Sequence, residues 1–467
     1  MSLLQKMNNS LSGRAFIYTV GNFVLGASNF LASAIFVRMM STSDYGLASV
    51  YITWVALVSQ IIGLRIEGTI QNAKLTYGKE SLKAYCSSIL FLDLVVFLVV
   101  LVLSIIFIEP VAFLLNLDQG VWLLAVITAF FLTCSNLRKC YCSAIKNAPG
   151  DLLISCILAF AQIGLSVLLI LFSVCDNSYF DRVWGYSVPT VAVGVGVCVF
   201  FFFKGKRFVA PKQWKFCLSF SIPMIFNGIA YLVINQSDRL MLNSMVGSDA
   251  AGIYSFVYNI ALPISVITQS LGAAWQPEYY ELKAQGDEDA LKTHERRYTL
   301  NVLIITVILM CVSPEILKLL GTQDYYSGLV ILPVVIAGYF FQFLYTWPLN
   351  CELYHRNTVG IALATLVAAA FNIALNIFLI PIWGMVGSAV ATCAAFVLLF
   401  VMHHISARIM VDEYTMTLKW FAPYVIACVC ATAALTFLVD VLAARWALSL
   451  VLCVLLVVRF KKNRSII

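Results

Sequence analysis

Charged side chains make up 11% of this 467-residue chain, against about 25% in a typical soluble domain. A water-soluble fold is excluded, because so few charges cannot cover its surface. The longest polar segment, residues 276–298, is too short for an enzyme domain. It reads as a short interfacial helix, a turn at Gly286 and the start of another helix. No G-x-x-x-x-G-K-[ST] loop is present, which argues against ATP hydrolysis, and no G-x-S-x-G or paired His and carboxylate motif marks a hydrolase. Histidine is scarce, four in all. The pair His403-His404 has no partner carboxylate in view and reads as structural or interfacial. The 14 cysteines form no framework. Most lie within apolar runs, where Cys is a small apolar residue, and the one cluster, Cys134, Cys140 and Cys142, fits no zinc spacing. No metal and no cofactor is expected.

What remains is apolar: 61% hydrophobic residues and a mean hydropathy of +0.92. About 14 runs are long enough to cross a hydrocarbon core of roughly 30 Å. The first is at 13–37 and the last, the shortest, at 446–458. No small-residue cleavage site follows the first, so it is expected as a retained helix. Lysine and arginine test this topology independently of hydropathy. With the N-terminus inside, all but five of the 30 basic residues fall on the inner side, the exceptions being Arg38, Arg182, Arg239, Lys318 and Arg445. That asymmetry follows the positive-inside rule and puts both termini in the cytoplasm. The net charge of +7 then belongs to loops beside anionic headgroups and implies no nucleic acid.

Two stretches echo each other, "FVRMMSTSDYGLASV" (36–50) and "NQSDRLMLNSMVGSDAAGIYSF" (235–256). One offset of 206 residues matches Asn29 with Asn235, Gly46 with Gly252 and Ser49 with Ser255. Two further echoes follow in the same order: "YCSAIKNAPGDLLI" (141–154) with "ELYHRNTVGIAL" (352–363), and "RVWGYSV" (182–188) with "PIWGMVG" (381–387). The order predicts two parallel six-helix repeats enclosing a cleft. The expected fold is an all-α polytopic membrane protein, with bundles at 1–215 and 216–410. Residues 411–467 add a two-helix hairpin and a basic cytoplasmic tail.

Polar residues in apolar spans should face other helices or a cavity rather than lipid. Tyr18, Asn22, Gly26, Asn29 and Ser33 in the first span, and Asn227, Tyr231, Asn235 and Asp238 in the seventh, recur every three or four residues. Each set therefore traces one helix face. Two such stripes suit opposite walls of a cavity; the other reading is hydrogen bonding between packed helices. Arg38, Arg65 and Arg239 are candidates for binding phosphate, because a guanidinium stays protonated and offers a bidentate fork. Their alternatives are snorkelling to headgroups or local ion pairs, Asp238-Arg239 and Arg65/Glu67. Asp93 and Asp238 are candidates for a coupling proton or sodium ion, the alternative for Asp93 being a bond to a neighbouring helix. Pro263, near the middle of the eighth span, removes a backbone hydrogen bond and is the hinge candidate; Pro189 and Pro333 interrupt the sixth and tenth.

"IPIWGMVGSAVATCAAF" (380–396) resembles the twelfth helix of polysaccharide exporters in the multidrug, oligosaccharidyl-lipid and polysaccharide (MOP) exporter superfamily. "STSDYGLASVY" (41–51), "QSDRLMLNSMVGSDAAGIYS" (236–255) and "AAWQPEYYELKAQGD" (273–287) match other stretches typical of it, and the resemblance runs from about residue 10 to 410. It implies two six-helix bundles around a V-shaped cavity in the bacterial cytoplasmic membrane. It also implies a flippase, not an enzyme, that turns an undecaprenyl-pyrophosphate-linked oligosaccharide to the outer leaflet for capsule, O-antigen or exopolysaccharide assembly. Implied partners are that lipid-linked saccharide, membrane lipids and the polysaccharide polymerase machinery. The departure from the family picture is the bilayer midplane, which holds no obvious arginine. The rivals are a lipid-linked peptidoglycan precursor flippase, a drug-cation antiporter of the same superfamily and, from another class, a membrane polysaccharide polymerase. The short outside loops disfavour the last.

Overall fold

The structure is a computed structural model and describes residues 11–463 apart from 116, 176, 356 and 411–417. Among these the regular elements are helices. In hydrocarbon no water satisfies backbone N–H and C=O groups, and a helix pairs them within one segment. The first half holds α1 (Leu11–Met39), α2 (Thr42–Gly63), α3 (Ile70–Tyr77), α4 (Leu82–Ile106), α5 (Ile108–Leu115), α6 (Gln119–Ala144), α7 (Ala148–Phe172) and α8 (Ser178–Gly205). Then come α9 (Pro211–Met245), α10 (Ser248–Gln285), α11 (Glu288–Leu320), α12 (Leu332–Leu344), α13 (Thr346–Tyr354), α14 (Thr358–Trp383), α15 (Met385–Met410), α16 (Leu418–Phe437) and α17 (Leu442–Asn463).

Twelve described helices are long and apolar enough to cross a membrane, with α12 and α13 together forming one of them. A thirteenth is α9, if its two arms, bent by 41° between Ile222 and Met224, form one span. The residue at the bend is Pro223, which has no N–H to close the helical ladder. The first expected span falls on α1, whose described apolar part is Val24–Met39. The last, expected to be short, is a 22-residue helix. The chain is a multi-pass membrane protein. Gly286 makes the expected turn at φ 72°, but the helices beside it are continuations of α10 and α11 rather than a separate interfacial helix.

The chain divides into two compact units, Met1–Leu232 and Val233–Ile467, with the division inside α9. In the first unit α2, α6 and α8 form the interior. The buried Tyr51 hydroxyl joins all three, lying 2.6 Å from Ser187 and 3.1 Å from Thr128. Gly185 lets α8 approach α7, since a Cβ there would meet the Ser166 backbone at 2.4 Å. The far side of α4 leaves Leu98, Val99, Val102 and Ile106 exposed, a face that suits lipid rather than water. In the second unit α10, α11, α12 and α13 bury Tyr254, Trp275, Phe340 and Trp347. The hairpin of α16 and α17 is anchored to α11 by Arg445. Its guanidinium donates to both Glu315 oxygens, at 2.6 and 2.7 Å, and to the Cys311 carbonyl at 2.7 Å.

Two of the three echoes have matching local geometry. Helices α1 and α9 end at Met39 and Met245, and α2 and α10 begin at Thr42 and Ser248, each pair 206 positions apart. Asn147 and Asn357 both cap the helix they precede, accepting from Gly150 N at 3.2 Å and Gly360 N at 2.9 Å. The third echo does not match: Trp184-Gly185 lies inside α8, whereas Trp383-Gly384 ends α14 and breaks the chain at a Gly384 φ of 55°.

Candidate functional site

Asp238, on α9, is 1% exposed. A carboxylate in such a place needs donors, because leaving it unanswered costs several kcal/mol. Four arrive from three other helices. From α10, Tyr254 donates at 2.6 Å and Tyr258 at 3.4 Å; from α15, Thr392 at 2.6 Å; from α14, the Asn376 amide at 3.2 Å. Asn372 completes the cluster: it accepts from Ser237 and Asn376, each at 3.2 Å, and donates to Thr392 at 3.1 Å. Asn372 and Asn376 stand four residues apart and so share one face of α14. Its acceptors are carboxylate, amide and hydroxyl oxygens, the set that suits a small hard cation. Asn376 Oδ1 is buried without a hydrogen-bond partner and retains capacity for one more contact.

The rest of the seventh-span stripe is more open. Asn235 accepts from Gln342 of α12 at 3.3 Å, Asn227 is half-buried and Tyr231 is exposed. Among the described residues Arg239 forms no ion pair with Asp238, so that alternative is not what the structure shows. Its guanidinium instead lies over the Tyr258 ring at 5.5 Å, with Nε buried and unbonded.

In the first unit Arg65 sits just past α2 with φ 54°, donating to Gln60 at 3.2 Å. Gly228 of α9 leaves room for it, since a Cβ there would come within 2.9 Å of Arg65 Nε. The Arg65/Glu67 ion pair, the alternative for Arg65, is not formed either among the described residues. Burial pushes the Glu67 carboxyl up from its ordinary range, and Arg65 pulls it the other way. Arg38 is exposed in the last turn of α1, as is Asn29 farther back. The 22 residues of α2 set Arg38 and Arg65 about 33 Å apart along the span, so no single phosphate touches both. The side chain of Asn22 lies outside the described residues. Pro263 lies within α10, which continues through it as helix.

Asp93, on α4, is 0% exposed, and neither carboxylate oxygen has a hydrogen-bond partner. The alternative of a bond to a neighbouring helix is therefore not what the structure shows. Asp93→Asn breaks no hydrogen bond, so thermal unfolding in detergent should show unchanged or raised stability, in contrast to the loss of about 1–3 kcal/mol that removing a partnered buried group brings.

One cluster escaped the sequence. Glu352 of α13 is buried and accepts from His403 and Ser406 of α15 and, at 3.2 Å, from Asn357. Tyr345 stacks on the His403 ring at 5.5 Å. His403 thus does have a carboxylate, 51 residues away in the chain, and the only sequence signal was an acidic residue at the edge of an apolar run.

A family profile described as "Polysaccharide biosynthesis protein" matches residues 13–282. The chain is 22% identical over 395 residues to Lsg locus putative protein 1 of Haemophilus influenzae, covering 80% of this chain and 94% of that protein. An uncharacterized membrane protein of Methanocaldococcus jannaschii is 24% identical over 268 residues, 52% of each. Among solved structures, the lipid II flippase MurJ in an inward closed conformation gives a TM-score of 0.74 at 15% identity, over 96% of this chain and 100% of that one. An inward-facing multidrug resistance MATE family transporter of the MOP superfamily gives 0.62 at 11% identity, over 84% and 96%. The fold is shared with both.

Proposed function

Because this chain belongs to the polysaccharide biosynthesis protein family, we propose that it is a flippase for an undecaprenyl-pyrophosphate-linked oligosaccharide. It works in the bacterial cytoplasmic membrane with both termini cytoplasmic, supplying capsule, O-antigen or exopolysaccharide assembly and the polymerase that follows. The observation that carries this reading is the family match over residues 13–282; the fold shared with a lipid-linked precursor flippase supports it. The two six-helix repeats read from the sequence, 1–215 and 216–410, carry out alternating access, with the hairpin at 411–467 outside the repeat. Asn22, Asn29, Asn227, Tyr231 and Asn235 bind sugar hydroxyls, and Arg38, Arg65 and Arg239 meet phosphate at different stages of the crossing. Asp238, with its oxygen ligands, holds a coupling sodium ion; Asp93 is a second candidate for coupling. Pro263 is the hinge, a role that wild-type transport by Pro263→Ala removes.

Deleting the gene and treating intact spheroplasts with an impermeant glycosidase tests the reading. Lipid-linked saccharide should accumulate in a protected form and become digestible when the gene is restored. Saccharide already digestible without the gene, with polymerisation alone lost, points to a polymerase instead. A second reading, a lipid-linked peptidoglycan precursor as cargo, is favoured by the likeness to the lipid II flippase. The same experiment separates the two by which lipid-linked saccharide accumulates.

A further inference from the structure

Where α9 begins, it meets α3 in a pocket of about 400 Å³ lined by Asn72, Leu75, Thr76, Phe216, Ser219 and Phe220. Small-molecule sites run from about 300 to 1,000 Å³. Its walls are fixed from behind. Phe216 packs edge-on against Tyr77 at 5.6 Å and Tyr85 at 6.4 Å, and those two rings stack at 5.8 Å. Tyr85 is tied to Thr69 at 2.6 Å, and the indole of Trp214 donates to Ser88 at 2.9 Å. Phe216 is thus held in place, on one wall of an open depression.

No lining residue is charged, so the pocket does not suit a bare phosphate, which calls for Lys, Arg or a helix terminus. What it offers is an aromatic wall beside neutral hydrogen-bonding groups. Phe220 is 43% exposed. The Asn72 amide makes no hydrogen bond among the described residues, leaving two donors and an acceptor open. The Thr76 and Ser219 hydroxyls each spend their proton on a backbone carbonyl, of Asn72 at 3.0 Å and of Phe216 at 2.9 Å, and keep their lone pairs for other donors. The Ser219 carbonyl is spared as well, because Pro223, four residues on, has no N–H to give it. A ring with polarised C–H groups on its face and hydroxyls around its edge matches both features at once.

We propose that this pocket is a docking subsite for a neutral sugar ring of the lipid-linked saccharide, occupied before the cargo crosses. The proposal rests on the flippase reading above and on the basic residues that place this end of the spans in the cytoplasm, where the cargo is first presented. It is distinct from the stripe residues within the spans. Leu75, 84% exposed, forms the outer lip.

The test uses the purified full chain and two probes: lipid-linked saccharide extracted from the deletion strain, and undecaprenyl pyrophosphate without sugar. Asn72→Ala and Phe220→Ala remove contacts at a half-buried and an exposed position, and Leu75→Trp fills the mouth, so one underlying loss is reached by two routes. Each variant should bind the saccharide-bearing lipid about ten-fold more weakly and the bare lipid as the wild type does. Unchanged binding of both lipids overturns the subsite. An equal fall for both overturns it too, assigning the pocket to the lipid portion. If the saccharide-bearing lipid does not bind even the wild type, the flippase reading falls and takes the subsite with it.

Discussion

Asp238→Asn is expected to abolish sodium-stimulated transport while leaving the chain folded. In the wild type, Tyr254, Tyr258, Thr392 and Asn376 all donate to this one carboxylate. An amide keeps the shape and one acceptor oxygen, so part of that network survives. What is lost is the single negative charge in a cluster of neutral oxygens, and with it most of the attraction for a cation in a medium of low dielectric. Sodium stimulation in proteoliposomes should fall at least ten-fold, worth about 1.4 kcal/mol or more. Asp238→Ala is a different experiment, since it strands several buried donors at about 1–3 kcal/mol each and should not fold normally. An Asn variant that retains wild-type sodium stimulation removes Asp238 from the coupling role. Loss of transport together with loss of folding would make the cluster a structural knot instead.

Arg445→Leu is expected to lower stability by about 1.5–3 kcal/mol, the loss of hydrogen bonds between charged groups whose acidic partner, Glu315, is only half-buried. Arg445 is itself 1% exposed and answers both Glu315 oxygens and the Cys311 carbonyl. Leucine would leave the Glu315 carboxylate and that carbonyl facing an apolar side chain. Arg445→Lys should recover little, because an ammonium cannot reproduce the planar fork that reaches two oxygens at once. The double variant Arg445→Leu, Glu315→Leu should recover most of the loss, since no charge then stays buried alone. Denaturation in detergent measures all three. A single variant within about 1 kcal/mol of wild type would mean the pair contributes little, as exposed ion pairs do.

The spans were legible in hydropathy because each is a long apolar run, and twelve, or thirteen with α9, are helices of spanning length among the described residues. Helix ends were legible where local chemistry repeats: the turns after Met39 and Met245, the caps at Asn147 and Asn357. A repeated dipeptide proved a poor guide by itself. Trp184-Gly185 packs mid-helix against Ser166, and Trp383-Gly384 ends a helix. Burial of Asp93 and Asp238 followed from their place in apolar runs, but their surroundings did not. The partners of Asp238 lie 16 to 154 residues away, on faces that only packing brings together. Glu352 and His403 were hidden for the same reason. The 41° bend lies at Pro223, which was not singled out in advance, and Pro263 lies in a helix without a break.

The thiols have a practical consequence. Among the described residues no two cysteines form a disulfide, and the two that are exposed, Cys430 and Cys453, lie on the apolar hairpin helices α16 and α17. A maleimide reacts with thiolate in water, and neither place supplies water once the hairpin is in a bilayer. The native thiols nearest a membrane-impermeant reagent are then the half-buried Cys140, near the end of α6, and Cys175, in the turn between α7 and α8. A single cysteine placed at Leu75 or at Asp249, with Cys140 and Cys175 replaced first, would report which side of the membrane each turn occupies.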